Sequence, residues 1–389
     1  MSGGKTLQGP KVFVIAAEES GDRLGAGLIK ALRERLGPAA TFSGIGGSHM
    51  AEQGLVSLFP TEQLAIIGLV AIPKRLPMIL RRIREATDAV IAAKPDVLVI
   101  IDSPDFTHRV ARRVRAANPS IPIVNYVSPT VWVWRPGRAR KMRAYVDRLL
   151  AVLPFEPEVH RKLGGPPCSY VGHPLLDDLG ALRPDADEQA RRAAQPPVLL
   201  VLPGSRRSEI RRNMAIFGET LRLLREQGVV FEPVLPTIPH LVEAVRASAA
   251  TWPVRPTIVA SESDKRAAFR VARAALAKSG TVTLELALAG VPMVTAYRVT
   301  ELEAFIARRV IQTSSIILPN LILGENVIPE FLQQDFTAEN LAPALRDVLA
   351  DTPARQRQFE AFAKIEQIMS TGGRKPSVLA AEGVMAAIR

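Results

Sequence analysis

Asp102 and Asp105, in the stretch DSPDF (102–106), stand directly after the apolar run DVLVII (96–101). Two carboxylates within one turn of a strand end suit acid–base chemistry, because a carboxylate kept basic by its surroundings can take the proton of a substrate hydroxyl. Either could instead cap the helix that follows. Asp105 is the better placed for that, which leaves Asp102 as the candidate base. Three more stretches share the form of apolar run, polar turn and helical pattern. GSRRSEIRRN (204–213) follows VLLVLP. There Ser205, Arg206 and the backbone N–H groups opening a helix would hold a diphosphate. KSGTVTLELALAGVP (278–292) opens a helix on a Ser279-Gly280-Thr281 turn. Gly280 and Thr281 suit a phosphate at a helix N-terminus, and Glu285, one turn on, suits the two hydroxyls of a ribose. Glu285 also fits a carboxylate that merely caps the helix. EESGDRLGAGLIKAL (18–32) offers Glu18, Ser20 and Asp22 on a glycine-rich turn. Its acidic residues favour sugar hydroxyls over phosphate, and capping by Ser20 or Asp22 is the alternative. The G-x-G-x-x-G dinucleotide spacing is absent.

Two stretches carry aromatic or apolar residues beside bases. SPTVWVWRPGRARKMR (128–143) sets Trp132 and Trp134 next to five cations. Such interleaving fits single-stranded nucleic acid, a membrane interface, a sugar face or a packed loop. LAIIGLVAIPKRLPMILRRIR (64–84) passes from apolar to basic amphipathic. LPNLILGENVIPEFLQ (318–333) reads as a proline-bounded loop. No H-x-x-H or C-x-x-C spacing occurs, so no metal and no cofactor is expected.

These turns must be positioned by strands. KVFVIA (11–16), DVLVII, PIVNYV (122–127) and RLLAVL (148–153) alternate with helical patterns. The series restarts with PVLLVLP (197–203), VVFEPVLP (229–236), PTIVA (256–260), AALA (274–277) and VPMVTAY (291–297). Continuous apolar strands between helices mean parallel sheets covered on both faces. The expected fold is therefore α/β, with two Rossmann-like doubly wound domains facing across a cleft. LRPDADEQARRAAQPP (182–197) reads as the linker between them, and the tail beyond 335 as helical. The expected domains are 1–182 and 183–365, with a helix over about 366–389 returning to the first.

The 389 residues carry a formal net charge of +12. Residues 1–175 hold 24 Lys+Arg against 14 Asp+Glu, and the remainder 26 against 24. The basic excess lies in the first domain and points to an anionic partner there. A single cysteine, Cys168, rules out an internal disulfide and suits a reducing cytoplasm. No apolar run reaches the ~18 residues of a membrane span, and KVFVIAA is shorter than a signal-peptide core.

In order, EESGD with LGAGLIKAL, LAIIGLVAI, KPDVLVIIDSPDF, YVSPTVWVWRPGR, LPFE, VGHPL, LPGSRRSEI, SGTVTLELALAGVPMV and LPNLILGENVIPEFLQ resemble the lipid-A-disaccharide synthases, inverting glycosyltransferases of the two-Rossmann-domain (GT-B) type. The resemblance spans residues 11–335. Ala17, Lys278 and the pair Glu325-Asn326 depart from the common pattern, and the last two departures bear on diphosphate contacts. The resemblance implies transfer of 2,3-diacylglucosamine from UDP-2,3-diacylglucosamine to the 6-hydroxyl of 2,3-diacylglucosamine 1-phosphate, giving a β-1,6-linked disaccharide phosphate and UDP. It implies Asp102 as catalytic base and Arg206 on the leaving diphosphate. UDP would be held by Ser205, Arg206, Ser279, Gly280, Thr281 and Glu285, with Asn320 and Gln333 as further donor-side contacts. Glu18, Ser20 and Asp22 would lie on the acceptor side. It further implies a protein peripherally bound to the cytoplasmic face of an inner membrane, and it leaves a homodimer open. Because these substrates carry acyl chains, the basic amphipathic stretch reads as a docking surface for an anionic lipid surface. Val70, Ile72, Leu76, Ile79 and Leu80 would face lipid, with Ile83 and Val90 packing inward.

Other classes fit less well. A lipid-linked GlcNAc transferase or a UDP-GlcNAc epimerase would share the fold. Nucleic acid is not expected as a partner, since aromatic content is only 5% and no nucleic-acid module is recognisable. A dehydrogenase would need the missing glycine fingerprint.

Overall fold

Strand runs apolar at every position require cover on both faces. The computed structural model describes residues 9–64, 72–300, 313 and 315–388, except the side chains of Glu62 and 72–75, and it buries these runs in two parallel sheets. The chain forms two units, one of the described residues up to Asp177 and from Ser370 onward, the other spanning Asp178–Met369.

The first unit runs β1 (Lys11–Ala16), α1 (Glu19–Leu36), β2 (Thr41–Ile45), α2 (Ser48–Glu52), α3 (Ile72–Ala93), β3 (Val97–Ile101), α4 (Pro104–Ala117), β4 (Ile123–Tyr126), α5 (Gly137–Met142), β5 (Arg148–Ala151), α6 (Glu156–Lys162) and β6 (Cys168–Tyr170). The strands lie in the order β2-β1-β3-β4-β5-β6. Register pairs Ala16 with Ile101, so the residues after β1 and after β3 emerge side by side. Leu28, Ile29 and Leu32 form the inward stripe of α1, and Ile83, Ala86 and Val90 that of α3, all fully buried. Each such aliphatic side chain contributes about 1.5–3 kcal/mol of burial. Gly25 lets α1 approach α2, since a Cβ there would lie 2.4 Å from Met50 Sδ.

The second unit runs α7 (Leu179–Leu182), α8 (Ala186–Ala193), β7 (Val198–Leu202), α9 (Arg207–Glu226), β8 (Glu232–Pro236), α10 (Val242–Ala249), β9 (Thr257–Val259), α11 (Glu262–Val271), β10 (Ala274–Lys278), α12 (Val282–Leu288), β11 (Met293–Tyr297), α13 (Leu318–Leu323), β12 (Glu330–Leu332), α14 (Ala338–Leu349) and α15 (Pro353–Met369). Its sheet order is β12-β11-β10-β7-β8-β9. Phe217 of α9 and Phe336 before α14 meet edge to face at 5.8 Å inside its core. After α15 the chain returns to the first unit as α16 (Pro376–Met385), which packs on α1. Gly383 lets α16 lie close to β5, since a Cβ there would come within 2.6 Å of Leu150.

Three sequence expectations are corrected. The stretch read as a linker belongs to the second unit. It contains α8, opened by a reciprocal cap in which the Glu188 N–H donates to Asp185 Oδ1 at 2.8 Å and the Asp185 N–H to Glu188 Oε2 at 3.1 Å. Arg192 of α8 is buried and donates to the carbonyls of Phe269, Arg270, Ala289 and Gly290. The stretch 318–333, read as a loop, contains α13 and β12. Strands β2, β6 and β12 were not anticipated. All three lie at sheet edges, where one side needs no apolar cover and the runs are short or polar.

Candidate functional site

In each sheet the chain winds in opposite directions from one pair of adjacent strands, and open α/β sheets bind ligands at the carboxyl ends of that pair. The pair is β1 and β3 in the first unit, and β7 and β10 in the second.

At the first switch point Asp102 and Ser103 both have left-handed backbone, with φ of 50° and 44°. Such conformations cost non-glycine residues about 1–3 kcal/mol each and persist where neighbours enforce them. Here the Asp102 N–H donates to the Tyr126 carbonyl at 3.2 Å, and the Thr107 hydroxyl donates to the Asp102 carbonyl at 2.6 Å. The Asp102 carboxyl is half-buried, and among the described residues no cation pairs with it. Burial pushes its pKa up, the Ser103 N–H opposes the rise, and the Glu18 carboxylate adds to it. Glu18 and Ser20 are exposed at the start of α1. Asp22 is 3% exposed and accepts from the N–H groups of Gly47 (2.7 Å), His49 (2.9 Å) and Met50 (3.1 Å). It therefore fastens the start of α2 to α1 and is not free for an acceptor. Asp105 does not cap α4, since Ser103 holds the N-cap position; Asp105 is exposed, 3.4 Å from Arg138.

At the second switch point Ser205 and Arg206 lead into α9, and both are exposed. Glu209 reaches back to accept from the N–H groups of Ser205 (2.9 Å) and Arg206 (3.3 Å). Two of the N–H groups expected to receive a diphosphate are thus engaged by a carboxylate. Gly204, at φ 126°, is required because a Cβ would meet Glu209 Oε2 at 2.4 Å. Lys278, at the end of β10, places its Nζ 3.2 Å from Glu209 Oε1 and 4.9 Å from the centroid of the Tyr297 ring. One carboxylate therefore ties together the two turns noted in the sequence. Ser279 is buried, and its hydroxyl has no hydrogen-bond partner among the described residues. Gly280 is half-buried, and Thr281 is exposed at the N-cap of α12. Glu285 is 19% exposed and accepts from Lys265 Nζ at 2.7 Å, a partner not anticipated from the sequence.

Asn320 and Gln333 are bound up in the fold. Asn320 is 1% exposed; its amide donates to the Ile328 carbonyl and to Glu330, and its oxygen accepts from the Ile328 N–H. Gln333 accepts from the Val299 N–H at 2.7 Å and donates to the Val299 carbonyl at 3.3 Å. These bonds tie both side chains to the surrounding backbone.

The tryptophan stretch divides. Trp134 is exposed beneath Arg135, whose guanidinium carbon lies 4.2 Å from the ring centroid. Trp132 packs edge-on against Phe155 and donates to Glu156 at 3.3 Å. Glu156, 2% exposed, also accepts from the Leu153 N–H, and burial raises its pKa to about 7. Beside it the Ser128 hydroxyl and His160 Nε2 lie 2.8 Å apart. On α3, Leu76 and Leu80 are 43% and 40% exposed, whereas Ile83 and Val90 are buried, as expected. Ile79 packs against the core, contrary to its expected place toward lipid. Val70 and the side chain of Ile72 lie outside the described residues. No described helix is long and apolar enough to cross a membrane.

The fold is shared with UDP-GlcNAc 2-epimerase from Neisseria meningitidis, solved with UDP-GlcNAc (TM-score 0.64, 12% identity, 97% of this chain and 100% of that one). It is shared too with MurG of Acinetobacter baumannii (TM-score 0.60, 16% identity, 97% and 99%). Among curated sequences, lipid-A-disaccharide synthase of Nitrobacter hamburgensis is 66% identical over 375 residues, 96% of this chain and 95% of its own. That of Bradyrhizobium diazoefficiens is 65% identical over 379 residues, 97% of each. That of Rhodospirillum centenum is 45% identical over 377 residues, 96% and 94%. The profile of the lipid-A-disaccharide synthetases matches residues 12–384. With both switch-point turns inside that match, the chain belongs to the lipid-A-disaccharide synthetase family.

Proposed function

We propose that the chain transfers the 2,3-diacylglucosaminyl group of UDP-2,3-diacylglucosamine to the 6-hydroxyl of 2,3-diacylglucosamine 1-phosphate in lipid A synthesis. The observation that carries the residue assignment is Asp102, a desolvated carboxylate with no cation partner among the described residues, at the switch point of the first sheet. Its raised pKa makes it a stronger base than an exposed aspartate, and a hydroxyl needs one. As Asp102 takes the proton, the acceptor oxygen attacks the donor's anomeric carbon. The bond from that carbon to the diphosphate breaks, and its electron pair leaves with UDP, inverting the centre.

The leaving diphosphate gathers charge that cations must meet. Arg206 is exposed, 3.6 Å from Glu209 Oε1, and Lys278 is paired with the same carboxylate. Glu285 would exchange Lys265 for the ribose hydroxyls. Asn320, Gln333 and Asp22 hold the surrounding loops. Leu76 and Leu80, on a helix that also bears Arg81 and Arg84, would rest on the anionic cytoplasmic face of the inner membrane, where diacyl substrates reside. Incubation with both acylated substrates, following disaccharide and UDP release, tests the reading. Disaccharide should form with wild type and be nearly lost with Asp102→Asn. Near-normal turnover by a folded Asp102→Asn enzyme would remove Asp102 from the role of base.

A further inference from the structure

Between α4 and α5, within the first unit, lies a groove of about 940 Å³, one side of which comes from the basic stretch that follows Trp134. Arg109, Arg112 and Arg115 enter it from α4; Arg135, Arg138 and Lys141 come from the α5 side. Among the described residues Asp105 is the one carboxylate that lines it, and Arg115 is paired with Asp147. The floor is His108 and Tyr145, 2% and 5% exposed, with His108 Nδ1 and the Tyr145 hydroxyl 3.0 Å apart. Burial, and next the charge of Arg138, lower the His108 pKa to about 4, so the floor is neutral near pH 7. The Arg112 guanidinium carbon lies 5.3 Å from the Tyr145 ring centroid, and Arg138 reaches Asp105 at 3.4 Å. Arg109 and Lys141 have no carboxylate partner among the described residues. A concave, low-dielectric wall ringed by one sign of charge concentrates the field on whatever enters.

We infer that this groove is a phosphate-monoester site, with Arg112 and Arg138 as its central ligands, and that it seats the phosphate of the acceptor. The second half of that statement rests on the transfer reading above. The groove opens at Pro104 and Asp105, two and three residues beyond the candidate base Asp102. The acceptor carries its phosphate on C1 and its reacting hydroxyl on C6, and C1 and C5, which bears C6, flank the ring oxygen. A phosphate held at the Pro104–Asp105 end of the groove therefore keeps the hydroxyl within one sugar's span of the end of β3. A dianion with three free oxygens outcompetes the lone Asp105 carboxylate for Arg138, and a guanidinium meets phosphate with two parallel bonds. A sugar 1-phosphate and free phosphate share this chemistry, and a phospholipid headgroup offers a singly charged phosphodiester to the same arginines, so the test must separate them.

The experiment compares full-length wild type with Arg112→Gln, Arg138→Gln, Arg138→Lys and Asp105→Asn. It reads acceptor KM, donor KM and kcat in detergent micelles, inhibition by glucosamine 1-phosphate and by inorganic phosphate, and sedimentation with phosphatidylglycerol vesicles. Each Arg→Gln change should raise acceptor KM about tenfold or more, the equivalent of one charge-assisted hydrogen bond. Donor KM and vesicle binding should hold, glucosamine 1-phosphate should compete with acceptor in wild type and Asp105→Asn but not in the Arg→Gln variants, Arg138→Lys should recover part of the loss, and Asp105→Asn should lower acceptor KM. Vesicle binding lost with acceptor KM unchanged would give the groove to lipid headgroups and overturn the inference. Unchanged constants throughout would make the arginines a solvated helix face and overturn it equally. If the Gln variants fail to fold, Arg138→Lys and Asp105→Asn still decide, since a structural role would move both KM values together. Absence of disaccharide with wild type would sink the transfer reading itself, a result distinct from a wild-type enzyme whose variants keep their acceptor KM.

Discussion

The two switch points solve opposite electrostatic problems. In the first unit, the carboxyl of Asp102 is held half-buried beside another carboxylate, on strained backbone, with no cation among the described residues. In the second, the carboxylates are already matched: Glu209 to Lys278 and to two N–H groups, Glu285 to Lys265. In the proposed transfer the first arrangement would keep a proton acceptor basic. The second would let a nucleotide diphosphate enter by exchanging partners within existing pairs. One sheet architecture would thus serve two chemistries, decided by whether charges at the strand ends are paired.

The comparison is broken most directly at Asp102. Asp102→Asn should lower kcat about 10²–10⁴-fold, as loss of a general base does, with donor KM little changed. Wild-type kcat/KM should fall as pH drops through the raised Asp102 pKa. The folded pKa lies above the usual 3.8, so the folded state holds the proton longer, and stability declines as pH rises from 3.8 through the folded value. Asp102→Asn should therefore melt higher than wild type at pH 8, and a lower melting temperature would mean that the carboxylate is stabilised by contacts.

On the paired side, Arg206→Ala should cost about a hundredfold in kcat/KM and weaken inhibition by UDP. Lys278→Met should cost about tenfold, and the pairing account fails if it costs nothing. Glu285→Gln should raise donor KM about tenfold and leave acceptor KM alone. Glu156 offers a control buried elsewhere in the first unit. With its usual pKa of 4.5 raised to about 7, it should make stability fall between those pH values, by on the order of 3 kcal/mol in all. Glu156→Gln should flatten that slope, as read from melting temperatures across the range. The smallest effect is expected at Leu76→Gln/Leu80→Gln: stability within about 0.5 kcal/mol of wild type for each exposed site, with loss of vesicle binding.

What the sequence disclosed follows from range. Apolar runs, glycines and polar turns are local signals, and they located both switch points because a parallel strand and its following turn are contiguous. Partners distant in sequence left no such trace. Glu209 and Lys278 lie in separate motifs, Lys265 had no motif at all, and Arg192 looked like one more charge in a linker. Asn320 and Gln333 entered as ligand contacts only through the family resemblance, since their stretch carries little local signal and says nothing of the backbone groups that engage them. The helix of the supposed linker was legible after all, since Asp185 and Glu188 stand in capping-box spacing. The basic groove was half legible: the arginines were conspicuous, but only packing shows that α4 and α5 turn them toward a shared hollow.

The placement of α16 has a consequence for synthesis on the ribosome. Domains commonly mature in the order in which they emerge, the N-terminal one first. Here the second unit is finished once residue 369 is translated, whereas the first lacks the helix that covers α1 until residues 376–385 follow. The earlier-made sheet must wait, with Gly27 of α1 and Leu150 of β5 uncovered, while the later one can already fold. A released chain that ends at residue 369 should thus present a protease-resistant second unit and a first unit still open to holdase chaperones.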